Sequence, residues 1–252
     1  MTWTGSRLYT PNSKTPFKVS RSKIDLFREC PRCFYLDRRL GVSRPSMPGF
    51  SLNSAVDHLL KKEFDILRAT GKPHEIMKRY GIDAVPFVHK DLDIWRENFV
   101  GMQILHKQTN FIVFGAVDDI WINPKGELII VDYKSTSTEK EISLEDQWKV
   151  GYKKQLETYQ WLFREAGFAV SNISYIVYAN AAKTPVQFDG KLEFILTLHA
   201  HRGDVSWVSP MLVVMKKCLD GSNMPEPGKD CEYCAYRKKA GTHETIQSQL
   251  LL

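Results

Sequence analysis

The 252 residues suffice for one large domain or two small ones, and 43% hydrophobic with 25% charged content is ordinary for a water-soluble globular chain. No apolar run nears the roughly 20 residues that cross a bilayer, so no membrane association is expected. The formal net charge of +6 favours a polyanionic partner such as nucleic acid.

Residues 1–19 are polar and rich in Ser and Pro, and read as a loose arm. They contain no apolar segment of an export signal, so a cytoplasmic, reducing location is expected. The five cysteines then serve as thiols or metal ligands rather than disulfides. From Ser20 the spacing of Ile24, Phe27 and Tyr35 is near helical, with Ser20 or Ser22 as cap and Pro31 marking a break or a second start. "SAVDHLLKKEFDILRAT" predicts an amphipathic helix with Val56, Leu59, Leu60, Phe64 and Leu67 on one stripe.

From Phe111 the texture becomes β-rich. "FIVFGAVDDIWI" and "ELIIVDYKS" predict two strands joined by a turn at "NPKG". A helix follows, with Trp148, Tyr152, Leu156, Tyr159 and Phe163 at steps of three and four. Two more strands, "ISYIVYAN" and "KLEFILTLHA", precede a last helix at "SWVSPMLVVMKKCLDG" and a Cys-bearing tail. The order predicts an α+β or mixed α/β fold, with residues 20–238 as a single domain and 239–252 as a C-terminal tail.

The chemistry concentrates at the hairpin. On a strand, Asp132 and Lys134 point to one side, and Asp118 or Asp119 stands across the turn. Carboxylates that hold a divalent ion, with a lysine beside them, are what phosphodiester hydrolysis needs: an activated water and neutralised phosphate charge. If "NPKG" is a simple four-residue turn, Ile122 pairs with Glu127, and Asp119 rather than Asp118 shares the face of Asp132. A bulge near Asp118 would reverse that. Gly115 is a place where a strand needs close backbone approach. The following helix carries Gln155 and Tyr159 as an i,i+4 pair.

"GAVD", "VDYK" and "QLETY" resemble, in order and spacing, the three motifs of the PD-(D/E)XK nuclease superfamily. The Q-x-x-x-Y element and the flanking segments "ECPRCFYL" and "PEPGKDCEYCAYR" are similar to its RecB-like branch, which includes the CRISPR-associated RecB-like exonucleases. The resemblance implies a restriction-endonuclease-like core, a small mixed sheet flanked by helices, with the two ends of the chain joined by cysteines. It implies that Asp118 and Asp132 bind Mg²⁺ or Mn²⁺ with the backbone carbonyl of Tyr133, so Asp118 is preferred over Asp119. Lys134 would act on water or phosphate, and Gln155 and Tyr159 would position the strand and the lysine. Where the branch has a histidine ligand, this chain has Asp57, with His58 one residue late; Asp suits a hard metal, and a surface pair of Asp57 with Lys61 is the other reading.

The implied activity is metal-dependent cleavage of DNA, single-stranded or with free ends, in exo- or endonucleolytic mode. The alternatives are an inactive nucleic-acid-binding module or a subunit of a recombination or CRISPR-adaptation complex with a helicase or similar partner. Cys30 and Cys33 form one C-x-x-C and Cys231 and Cys234 another, together enough for a four-sulfur site. Zinc is expected there, because Ala240 stands where the iron–sulfur members have their last cysteine; a 4Fe–4S cluster is the alternative. Cys218 reads as a buried thiol on an apolar helix. Trp148, Tyr152, Tyr159 and Trp161 read mainly as core, with base stacking as the other use. His199 and His201 read as alternating strand residues, with a second metal pair as the other use.

Overall fold

A computed structural model describes residues 8–46, 49, 51–146 and 149–250, the last six of these by backbone alone. Trp148 lies outside the described residues. The chain forms two compact units. One is made of Met1–Met47, Leu105–Val113 and Ser209–Leu252, the other of Pro48–Ile104 and Phe114–Val208.

The second unit is built on a five-stranded mixed sheet. Its strands are β2 (Val85–Pro86), β5 (Asp119–Ile122), β6 (Leu128–Thr136), β7 (Ile173–Ala181) and β8 (Phe194–Arg202), in the order β2-β5-β6-β7-β8. β6 and β7 run parallel and every other pairing is antiparallel. A parallel pair needs a crossover, and α6 (Val150–Glu165) supplies it. The unit also contains α3 (Ser51–Thr70), α4 (Glu75–Arg79) and α5 (Leu92–Arg96).

On β6, Ile129, Val131 and Tyr133 enter one core with Leu60 and Phe64 of α3, Trp121 of β5, and Tyr175 and Val177 of β7. Period-two alternation therefore turns Ile130, Asp132 and Lys134 to the other face, toward α6. The stripe on α3 differs from the expected one. Val56, Leu60 and Phe64 face the core, but Leu59 is exposed, and Arg68 takes the next buried turn.

The expected first hairpin strand is broken. It divides into β4 (Phe111–Gly115) and β5, and β4 joins a separate three-stranded sheet of order β1-β4-β3, with β1 at Phe17–Ser20 and β3 at Met102–His106. The close approach expected at Gly115 is present, but Gly101 makes it possible. A Cβ on Gly101 would stand 2.2 Å from the Gly115 carbonyl oxygen.

In the first unit, α1 (Arg21–Glu29) ends at Cys30, which also opens α2 (Pro31–Arg39), with Pro31 in the first turn. α7 (Val208–Asp220) falls in this unit from Ser209 onward, followed by α8 (Glu232–Leu250). The C-terminal segment crosses the end of α1 at Gly228, where a Cβ would stand 2.0 Å from the Glu29 carbonyl. Cys218 is half-buried rather than fully buried, and its covered thiol is pushed up to about 11.

Candidate functional site

The turn between β5 and β6 sets the geometry of the site. It is one residue longer than a four-residue turn. Asn123 N–H donates to the Glu127 carbonyl at 3.1 Å, and the Asn123 side chain accepts from the N–H groups of Lys125 and Glu127, each at 3.0 Å. Ile122 then pairs with Leu128, and Asp119 pairs with Val131. The same register continued sets Asp118 opposite Asp132, so no bulge is needed to bring these two to one face. Asp118 Oδ2 accepts from the backbone N–H of Tyr133 at 2.9 Å.

Asp119 turns to the opposite face and is fully buried. Its Oδ1 accepts from Arg68 at 2.5 Å, from Arg96 at 2.8 Å and from the Ile120 N–H at 2.8 Å, while Oδ2 accepts from the Tyr133 hydroxyl at 2.7 Å. Four donors on its two oxygens make this a structural anchor. Arg96 also donates to the Asp118 carbonyl at 3.0 Å and holds the strand end in place. Arg68 and Arg96 carry no motif that singles them out in the sequence. The one hint was the second acid of "DD", which on the core side must find a cation.

Asp132 is 1% exposed. Gln155 Nε2 donates to its Oδ1 at 2.6 Å and lies 3.4 Å from the Tyr159 hydroxyl. Oδ2 is in ion-pair contact with Lys134 Nζ but lacks hydrogen-bond geometry to any donor. Burial drives the Asp132 carboxyl upward, Lys134 opposes this, Asp118 adds to it, and the net value is about 6. Lys134 is held above the ordinary lysine range: burial would lower it, but Asp132 and then Asp118 outweigh that. Its ammonium lies 5.0 Å from the Tyr152 ring centre.

Asp57 and Lys61 stand one turn apart on α3. Lys61 Nζ contacts Asp57 Oδ2 at 2.8 Å and Asp118 Oδ1 at 3.5 Å. Burial and then the charge of Asp118 raise the Asp57 carboxyl. Lys61 is raised by Asp118 and Asp57 against the opposing effect of burial. The i,i+4 pair is therefore present, and it lies beside Asp118 rather than on an isolated surface. His58 is exposed. Asp118, Asp132 and the Tyr133 carbonyl offer only oxygen, which suits Mg²⁺ or Mn²⁺; Asp57, paired with Lys61, does not lie close enough for all three carboxylates to share one ion. Asp132 Oδ2 pairs with the Lys134 ammonium without a well-formed hydrogen bond, which leaves it open to a divalent ion, and Asp118, Asp132 and the Tyr133 carbonyl fit such an ion.

Trp161 and Tyr159 are 4% and 3% exposed, too covered to stack on a base. His199 Nε2 lies 3.0 Å from Thr197 Oγ1, and His201 Nε2 lies 2.9 Å from Glu157 Oε1. Among the described residues, the groups of three or more His, Cys, Asp or Glu close enough to share one ion reduce to Cys30, Cys33, Cys231 and Cys234.

That cysteine group lies wholly in the first unit and is buried. Cys30 and Cys234 Sγ are 3.7 Å apart, Cys33 and Cys231 3.5 Å, and Cys33 and Cys234 3.7 Å. Backbone N–H groups of Gly228 and Cys33 point at Cys30 Sγ from 3.2 and 3.4 Å, and Arg44 lies 3.5 Å from Cys231 Sγ. Burial raises the Cys30 thiol, but those two N–H groups outweigh it and bring it down to about 6. N–H donors aimed at sulfur favour thiolate, the form that ligates metal.

The family model of the PD-(D/E)XK nuclease superfamily matches residues 53–238, well over half the chain, and the chain belongs to that superfamily. Its members are metal-dependent nucleases that use divalent ions, and their substrates are nucleic acids. No curated protein matches. A solved structure titled "Crystal structure of SSO0001" is 15% identical over 85% of this chain and 82% of that one, with a TM-score of 0.36, too low to carry an argument. Among the described residues no helix is long and apolar enough to cross a membrane.

Proposed function

We propose that the protein is a DNA nuclease of the RecB-like branch, acting in the cytoplasm on single-stranded DNA or DNA with free ends. Asp118, Asp132 and the Tyr133 carbonyl would hold one Mg²⁺ or Mn²⁺. The observation that carries this reading is the β5–β6 register: it sets Asp118 opposite Asp132, and Asp132 Oδ2 is in ion-pair contact with Lys134 on the same face. The choice of branch and of DNA rests on the resemblance of the Gln155 to Tyr159 element and the paired Cys segments.

When bound, the divalent ion supplies an acidified water and neutralises phosphate charge. The chain's own groups do the rest. Lys134, paired here with Asp132, would as an ammonium donate to a non-bridging phosphate oxygen and stabilise charge there. Gln155 positions Asp132 by fixing Oδ1, so that Oδ2, here paired with Lys134, would be the oxygen to hold the ion. Tyr159 backs the Gln155 amide. Tyr152 places its ring beneath the lysine ammonium.

For the cysteine group we propose structural zinc. Four thiolates about 2.3 Å from one ion stand about 3.8 Å from each other in a tetrahedron. The sulfur separations of 3.5 to 3.7 Å support that reading. A four-iron cluster binds one thiolate at each separate iron, so its sulfurs stand much further apart.

The test is cleavage of labelled single- and double-stranded DNA with Mn²⁺, comparing wild type with Asp132→Ala and Lys134→Ala. Cleavage by wild type alone supports the assignment. Cleavage surviving in both variants removes it, and salt-sensitive binding with no cleavage by any of the three assigns the binding-module alternative.

A further inference from the structure

Lys61 is the cation at the site that the proposed chemistry does not use. It projects from α3 between Leu60 and Phe64, both buried in the core, so the helix cannot rotate its side chain away. Its ammonium touches a carboxylate on each side, Asp57 at 2.8 Å and Asp118 at 3.5 Å. Only 21% of the side chain is exposed. An ammonium between two carboxylates takes the position a second divalent ion would need if Asp118 bridged two ions.

We propose that Lys61 is a built-in cation that takes the place of a second metal and restricts the nuclease to one divalent ion. The inference rests on the reading that Asp118 and Asp132 bind metal. Its electrostatics are simple. Asp57, Asp118 and Asp132 with Lys61 and Lys134 leave one net negative charge. One divalent ion turns that to one positive charge, but a second would leave three positive charges packed together. Without Lys61 the same carboxylates accommodate two ions at lower cost. Lys61 thus sets metal stoichiometry and keeps Asp57 from acting as a full ligand; it is a positioning residue.

The test counts ions. Zinc-replete protein is titrated with Mn²⁺ by calorimetry, and bound Mn²⁺ is counted by electron paramagnetic resonance; soft thiolate sites compete poorly for this hard ion. The expected result is one Mn²⁺ in wild type, two in Lys61→Met, one in Lys61→Arg, and one again in Lys61→Met with Asp57→Asn. Lys61→Gln replaces Lys61→Met if thermal melts show that the latter does not fold. Two ions in wild type, or one in both neutral variants, overturn the inference and leave the metal site standing. No Mn²⁺ in wild type removes the metal site and this inference with it.

Discussion

The carboxylate site and the cysteine group are both collections of anionic ligands, yet they are built in opposite ways. Around Asp118 and Asp132 the negative charge is already balanced by Lys61 and Lys134, and one buried oxygen lacks a donor. In the cysteine group, backbone N–H groups point at Cys30 Sγ and Arg44 at Cys231 Sγ, and the four sulfurs crowd to within a single ion's reach. On the proposed reading, the first arrangement would let an ion and a phosphate come and go, and the second would close on its ion and keep it. The ligands differ in origin too: the acids come from neighbouring strands and one helix of one unit, whereas the cysteines tie segments about 200 residues apart in sequence.

The sharpest break in that comparison is between activity and stability. Asp132→Ala is expected to lower Mn²⁺-dependent cleavage by on the order of 10³-fold or more, with a thermal melt within a few degrees of wild type. Cys30→Ser should do the reverse: the proposed zinc is lost and the first unit unfolds, because binding of that ion would be folding free energy there. Metal analysis and melting curves check both. A Cys30→Ser protein that keeps one zinc and its melting temperature would dissolve the distinction, as would an Asp132→Ala protein that fails to fold.

The next effect separates adjacent acids. Asp118→Asn should abolish most cleavage at little cost in stability. Asp119→Asn should cost on the order of 3 kcal/mol, because Arg68 and Arg96 keep their buried charges and lose the anion between them. Urea unfolding of the two variants, beside the cleavage assay, measures the split. A stable, inactive Asp119→Asn protein would transfer the metal site to Asp119.

This pair shows what the sequence could and could not carry. Strand alternation placed Asp132 and Lys134 on one face from spacing alone. The partner acid depended on one residue of turn length, and that was set by an Asn123 side chain accepting two N–H bonds, which a reading of "NPKG" as a four-residue turn misses. The mixed sheet flanked by helices was legible from the order of elements and the motifs. The division of "FIVFGAVDDIWI" between two sheets was not, since both halves have the same β-rich composition and only the backbone contact at Gly101 and Gly115 separates them. Lys61 was visible as a helix pair with Asp57, but its reach to Asp118 is tertiary.

The smallest effect concerns acid sensitivity, and each unit has its own buried carboxylate to test it. In the first, Asp37 sits between Lys23 at 2.7 Å and Arg38 at 2.7 Å, with Ser43 donating at 2.5 Å. In the second, Glu157 accepts from Lys154 at 2.6 Å, Trp207 at 2.5 Å and His201 at 2.9 Å. Burial raises both carboxyls, but the hydrogen bonds outweigh it, and each lies below its ordinary value. A carboxylate depressed on folding stabilises the native state fully above its unfolded pKa, about 4 for either residue, and loses that contribution as pH falls through the folded value. Melting temperature should therefore fall as pH drops below about 4. Glu157→Gln should lower it at pH 7 by about 2–4 °C for each kcal/mol lost, and the gap to wild type should narrow in acid. Asp37→Asn should do the same to whichever transition reports the first unit. If the gap for either variant stays constant down to pH 3, ionisation of that residue is not what stabilises its unit, and the neutral hydrogen bonds alone hold it.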